Sequence, residues 1–447
     1  MFCALPRYSD TEASPFWESR TPSHWSVRPG LAVLEENRRK NSDLLESQVL
    51  SLSYGRVVVK PLDKQRGLVP DSYEGYQVLD PGDIVVRPTD LQNDQTSIRI
   101  GHVKDRGIIT SAYIGLRPRG DWIDAYAYQY LTVVDSSKRI YGMGSGLRQQ
   151  LGWPDLKRMP CLVPSGEEQT AIVKYLTHAN ARIDRAIDAK GRLIRLLQEE
   201  ETALVRSIFY ALNAPILRAK DVCLRIIDCK NRTPEYVAEG AFRVIRTTCV
   251  RGGKFSFEGS YPTDEQSFDE WTQRGVPTVG DVLFTREAPA GEAALVPDGV
   301  DVCLGQRMMM YRPNPTMIRA EFLVHALYDS PAREFIGVAT NGSTVGHLRV
   351  GDVGVIPIRV PELSLQDEII EKLRTIREVT AETVCRIRQE ISLLREFRSR
   401  LVADVVTGQV DVRAIAATLP DAPGMFDELD GVLDDELEDA MRENPGE

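Results

Sequence analysis

The 447-residue sequence lacks most of the usual signatures of catalysis. No Gly-x-x-x-x-Gly-Lys-Ser/Thr phosphate loop occurs, which excludes a P-loop ATPase. No Asn/Asp-Pro-Pro-Tyr/Phe stretch occurs, so the active site of an amino-methyltransferase is missing. No Glu-x-Lys follows a Pro-Asp pair, which removes the nuclease core built on that pattern. A Gly-x-Ser-x-Gly elbow is also absent. Histidine is scarce: His24, His102, His178, His325 and His347 are scattered and form no metal-binding pair. The seven cysteines, at 3, 161, 223, 229, 249, 303 and 385, are odd in number and contain no Cys-x-x-Cys, which argues against a disulfide framework and a zinc site. Cys223 and Cys229 are expected to pack as small apolar residues. No apolar run approaches the ~20 residues that span a bilayer. Residues 1–10 lack a basic segment followed by an apolar one, so no secretory signal is expected and the chain is read as cytoplasmic. No cofactor or metal is expected on this chain.

Net charge is −10, but it is unevenly placed. Residues 408–447 hold 12 acids and two bases, so the preceding 407 residues are neutral overall. An acidic tail of this kind leaves the body free to gather cations on one face.

What the sequence does contain is a duplication. The stretch from Gln169 aligns without a gap to the one from Gln366, at an offset of 197. Along the first copy, Ile172, Leu176, Ile183, Ile187, Ile194, Leu197, Leu204 and Ile208 recur at helical spacing. Along the second, Ile369, Leu373, Ile376, Val384, Ile387, Ile391, Leu394, Leu401 and Val405 do the same. The register continues upstream, where Leu151, Asp155, Pro160 and Pro164 match Leu348, Asp352, Pro357 and Pro361. Each copy predicts one long amphipathic helix, ~65 Å at 1.5 Å per residue. The simplest way to bury both stripes is against each other, antiparallel, with one globular region at each end. Gly191, mid-way along the first helix, is read as a tolerated surface glycine.

Each helix closes a globular region of short strands and turns. In the first, strands are expected near 48–53, 56–60, 83–87, 98–103, 108–116 and 161–163, with a helix at 122–134. The second is expected to repeat this with strands near 242–247, 282–285, 295–296 and 308–312 and a helix at 320–328. Gly142-x-Gly144-x-Gly146 lacks dinucleotide-site spacing and is read as a loop. The domains are set at 1–20 (irregular), 21–165 (globular), 166–212 (long helix), 213–363 (globular), 364–409 (long helix) and 410–447 (acidic, expected to be disordered). The fold class is α+β.

A duplicated reader on a rigid spacer suits a bipartite linear target such as double-stranded DNA. The turns carry side chains that bond phosphates and base edges. In the first region the candidates are Arg87, Asn93, Arg99, Lys104, Arg117, Arg119 and Arg148. In the second they are Lys230, Arg246, Thr247, Lys254, Arg286, Arg307, Thr344, His347 and Arg349.

At the paired helices the chain resembles the specificity subunits of type I restriction-modification systems. The segment from Glu167 to Leu204 looks like that family's central conserved region, and the segment from Ser364 to Arg413 like its C-terminal one. Val406-Thr407-Gly408-Gln409-Val410-Asp411 is the most characteristic stretch. Pro22-Ser23-His24-Trp25 and the run from Asp228 to Pro234 look like starts of its target recognition domains. The resemblance covers about 20–413, and Gly191 and the acidic tail depart from it. It implies two target recognition domains, 21–165 and 213–363, each reading half of a split DNA site. It also implies an antiparallel coiled coil with pseudo-twofold symmetry that sets the gap, two docked methyltransferase subunits and two restriction subunits. The subunit itself would be non-catalytic. A methylation-only or type IIB-like system, and a scaffold without a DNA role, are the alternatives.

Overall fold

Both long helices form, as Gly166–Tyr210 and Leu363–Val406, in a computed structural model. It describes residues 5–14, 16–53, 55–60, 72–89, 91, 98–143, 150–230, 232–340 and 346–421. Ser165 precedes the first helix, its hydroxyl accepting from the Glu168 backbone N–H at 3.3 Å. Glu167 and Glu168 add negative charge where the helix dipole favours it. Gly408, at φ +75°, ends the second helix in the left-handed conformation that glycine adopts without strain. The chain divides into two units, Met1–Arg192 with Arg388–Glu447, and Leu193–Ile387, so the division falls inside both helices.

In the first unit a six-stranded sheet runs in the order Leu34–Glu36, Ile114–Pro118, Ile84–Val86, Ile100–His102, Arg56–Val59, Leu50–Ser53. Helix Asp124–Ser136 covers it and buries Tyr126, Tyr130, Leu131 and Val134. The helix segments of this unit run antiparallel, with Asp184 bonded to Arg398 and Lys190 to Glu390. Ile172, Leu176, Leu401 and Val405 belong to the same apolar core as the sheet.

The second unit has a four-stranded sheet in the order Cys223–Asp228, Met308–Pro313, Val282–Thr285, Ala293–Leu295. The first four strands of the other sheet follow the same connectivity, so the duplication read from the helices extends into both sheets. Three further strands form the sheet Tyr261–Thr263, Phe242–Ile245, Val302–Leu304. Helix Ala320–Ala326 buries Phe322 and Leu323 in a core that also contains Phe209, Ile369, Ile370 and Leu373.

A buried glutamine joins each long helix to its sheet unit. Gln169 donates through Nε2 to the carbonyls of Asp121 and Pro164, and accepts from the Ile123 backbone N–H. Gln366 donates to the carbonyls of Met317 and Pro361, and accepts from Arg319. Ile123 and Arg319 are the N-caps of the two short helices, so one amide serves two helix starts in each unit.

Several expectations need correction. Leu204 is 43% exposed; its neighbour Val205 and, further on, Phe209 turn inward instead. A 3.6-residue helix drifts against a fixed apolar repeat, and here Phe209 meets the Phe322 ring at 5.6 Å. The other helix-stripe positions are buried or half-buried. Gly191 is buried rather than on the surface, and the helix continues through it. Residues 1–20 are not irregular throughout: Thr11–Ala13 pairs with Arg20–Pro22, while Tyr8 and Trp17 are buried. The strand expected at 108–116 is two strands in different sheets, Gly107–Ile109 and Ile114–Pro118, because the chain turns at Thr110. Helices Glu265–Thr272 and Ser330–Thr340 and the strand Cys223–Asp228 were not expected. The 144–149 part of the glycine loop and residues 422–447 of the acidic tail lie outside the described residues.

Candidate nucleic-acid interface

Both sheets carry the same ion pair at the same turn. Asp83 caps its own turn, accepting from the Asp80 backbone N–H at 2.9 Å, and holds Arg117 at 2.8 Å. Asp281 likewise accepts from the Thr278 backbone N–H and holds Arg312 at 2.8 Å and 2.6 Å. The hydrogen bond to the carboxylate raises each arginine's pKa. Arg117 is thereby committed to a structural contact, and it leaves the set of DNA candidates.

Arg99 leaves it too. It is fully buried, with its guanidinium donating to the Thr89 carbonyl at 2.6 Å and to the Tyr141 hydroxyl at 3.2 Å. Arg119 is exposed and donates to the Leu31 carbonyl. Arg87 is half-buried and Lys104 exposed. Asn93, Arg148 and Thr344 lie outside the described residues.

The second unit brings several candidates together. Arg246, Thr247 and Arg307 line one cavity of about 230 Å³ with Thr233, Tyr261 and Gln306. Each comes from the end of a strand: Arg246 follows Phe242–Ile245, and Arg307 precedes Met308–Pro313. Beside them, Glu287 is met by two arginines and a histidine. His347 Nδ1 lies 2.9 Å away, Arg307 Nε 3.4 Å and an Arg286 terminal nitrogen 3.5 Å. The Glu287 loop is pinned by Thr285, whose hydroxyl donates to the Pro289 carbonyl at 2.6 Å and accepts from the Glu292 N–H at 2.9 Å. Arg286 is largely buried, whereas Arg307 and His347 are exposed. Lys230, Lys254 and Arg349 lie outside this cluster; Lys230 pairs with Glu270 at 3.0 Å and sits over the Trp271 ring.

Glu287, Gln306 and Thr233 were missed. Cations, amides and threonines are the expected readers of phosphates and base edges, but a glutamate can also accept from cytosine. The adjacency of Arg286 and Glu287 was the available signal.

The other titratable groups point to packing. Burial pushes the Cys229 and Cys303 thiols up to about 12, so neither is a thiolate near neutral pH. Among the described residues no group of three or more His, Cys, Asp or Glu could hold a metal, and no helix is long and apolar enough to cross a membrane.

A mixed α+β chain with a duplicated four-stranded core and two long helices has matches among known proteins. The family described as the type I restriction modification DNA specificity domain matches residues 263–393. The specificity subunit of the type I restriction enzyme EcoDI from Escherichia coli is 30% identical over 100 residues, 22% of each chain. The match therefore spans about a fifth of that relative's length. A chain from a solved structure on complex assembly and conformational transition of the type I R-M system superposes with TM-score 0.60 at 16% identity. That match covers 88% of this chain and all of that one. The HsdS subunit from Thermoanaerobacter tengcongensis gives TM-score 0.47 at 16% identity, over 89% and 100%. The likeness to type I specificity proteins thus rests in sequence on residues 263–393, and over most of the chain on the fold.

Proposed function

We propose that the chain is the DNA-recognition subunit of a type I restriction-modification enzyme. Each sheet unit reads one half of a bipartite double-stranded site. The long helices pair as an antiparallel coiled coil with pseudo-twofold symmetry, fix the gap between half-sites and dock two methyltransferase subunits. Restriction subunits join the complex for cleavage. The chain recognises DNA but performs no chemistry, and it works in the cytoplasm, where that DNA lies.

The observation that carries this reading is the repeated strand order closed by a long helix at a constant offset of 197. Two similar readers on a helical spacer match a target whose halves recur along the duplex at multiples of ~34–36 Å. Affinity comes largely from cations on phosphate and falls with salt, while specificity comes from a few base-edge contacts. Filter binding of the methyltransferase complex with and without this subunit tests the proposal. Site-specific binding should require the subunit. Binding that survives its removal would overturn the reading.

A further inference from the structure

We propose that Arg307 reads a guanine in the half-site recognised by the second unit, with Glu287 as its positioning residue. This rests on the DNA-recognition reading above. The cavity beside Arg307 holds about 230 Å³, several water volumes at ~30 Å³ each, which suits a base edge more than a whole ligand. Arg246 directly follows one strand, Arg307 directly precedes another and Tyr261 opens a third, so the backbone under these lining residues is held by the two sheets.

Arg307 is half-exposed, and its side chain is held only through Nε, toward Glu287 at 3.4 Å. Its two terminal nitrogens have no protein partner among the described residues. They form a planar fork with two parallel N–H donors, and in the major groove guanine presents O6 and N7 side by side to such a fork. The neighbouring carboxylate argues against a phosphate contact. Glu287 offsets one of the two arginine charges of Arg286 and Arg307, so the surface around the fork attracts a phosphate less than the bare arginines would. A directional donor pair matches a base edge, and Glu287 fixes which way it points.

The test is modified-base sequencing of cells that express the full chain with its methyltransferase, as wild type, Arg307→Ala, Arg307→Lys, Glu287→Ala and the double alanine variant. In Arg307→Ala, one guanine position of one half-site should relax, with selectivity there falling on the order of 5- to 150-fold, the worth of one bidentate base contact. The other half-site and the gap should be unchanged. Arg307→Lys retains the charge but lacks the fork, and should relax the same position. Glu287→Ala should relax that position too, and the double variant should relax it no further than Arg307→Ala. If Arg307→Ala abolishes methylation altogether, Arg307→Lys decides the question in the same way. Uniform weakening at every site, with the salt slope reduced by about one, would mark a phosphate contact and overturn the assignment. So would an unchanged motif in every variant. A wild type with no split motif would instead defeat the recognition reading itself.

Discussion

At the residue scale, the two buried glutamines set the sharpest expectation. Gln169 and Gln366 are themselves fully buried, and each satisfies two carbonyls and one backbone N–H. Replacing either with alanine orphans all three groups, so each variant should lose about 2–4 kcal/mol, read as a lower urea midpoint. The Asp–Arg pairs differ because their arginines are partly exposed. Arg117→Ala and Arg312→Ala should each cost about 1 kcal/mol and leave the methylated motif unaltered. A motif that changed in either would restore that arginine as a reader. His325 gives a pH signature. Burial first, and then the Arg377 charge, lower its pKa from 6.5 to about 3. The unfolded chain therefore binds the extra proton between those values, and stability should fall as pH drops from about 6.5 toward 3. His325→Gln should flatten that slope in pH-dependent unfolding.

At the scale of elements, periodicity located the long helices because an apolar stripe at 3.6-residue spacing is a strong local signal over 44 residues. It failed at Leu204, where the choice among neighbouring side chains depends on Phe322, more than a hundred residues away in the chain. Short strands such as Cys223–Asp228 were missed because six residues carry little pattern, and their pairing with Met308–Pro313 is long-range. The candidate site was legible only in part. Arg99 and Arg117 have the same residue type as Arg307, and what separates them is burial and the position of Asp83, neither of which the sequence displays. The characteristic stretch after the second helix has a structural reason. A Cβ at Gly408 would run into Pro22 and Trp25, and Gln409 bonds the Arg20 carbonyl at 2.6 Å. This ties the end of that helix to the N-terminal strands of its own unit. For the helices themselves, inserting four residues near Gly191, about one turn, should lengthen the gap of the recognised motif and keep both half-sites. A changed half-site with an unchanged gap, seen by methylated-motif sequencing, would contradict the spacer role.

At the scale of the whole molecule, each unit is proposed to read one half-site. Exchanging residues 22–165 for those of another family member should then alter one half-site and leave the other intact. The charge distribution is compatible with this, since residues 1–407 are neutral overall and the acidic excess sits after them. A neutral body can still bind a polyanion through local cation clusters, with affinity that falls as salt rises. The most direct measurement is genome-wide modified-base sequencing of cells expressing this chain with its methyltransferase, against cells expressing the methyltransferase alone. A single asymmetric split motif with a fixed gap is expected, present only when this chain is present. Methylation without a split motif, or the same motif in its absence, would contradict it.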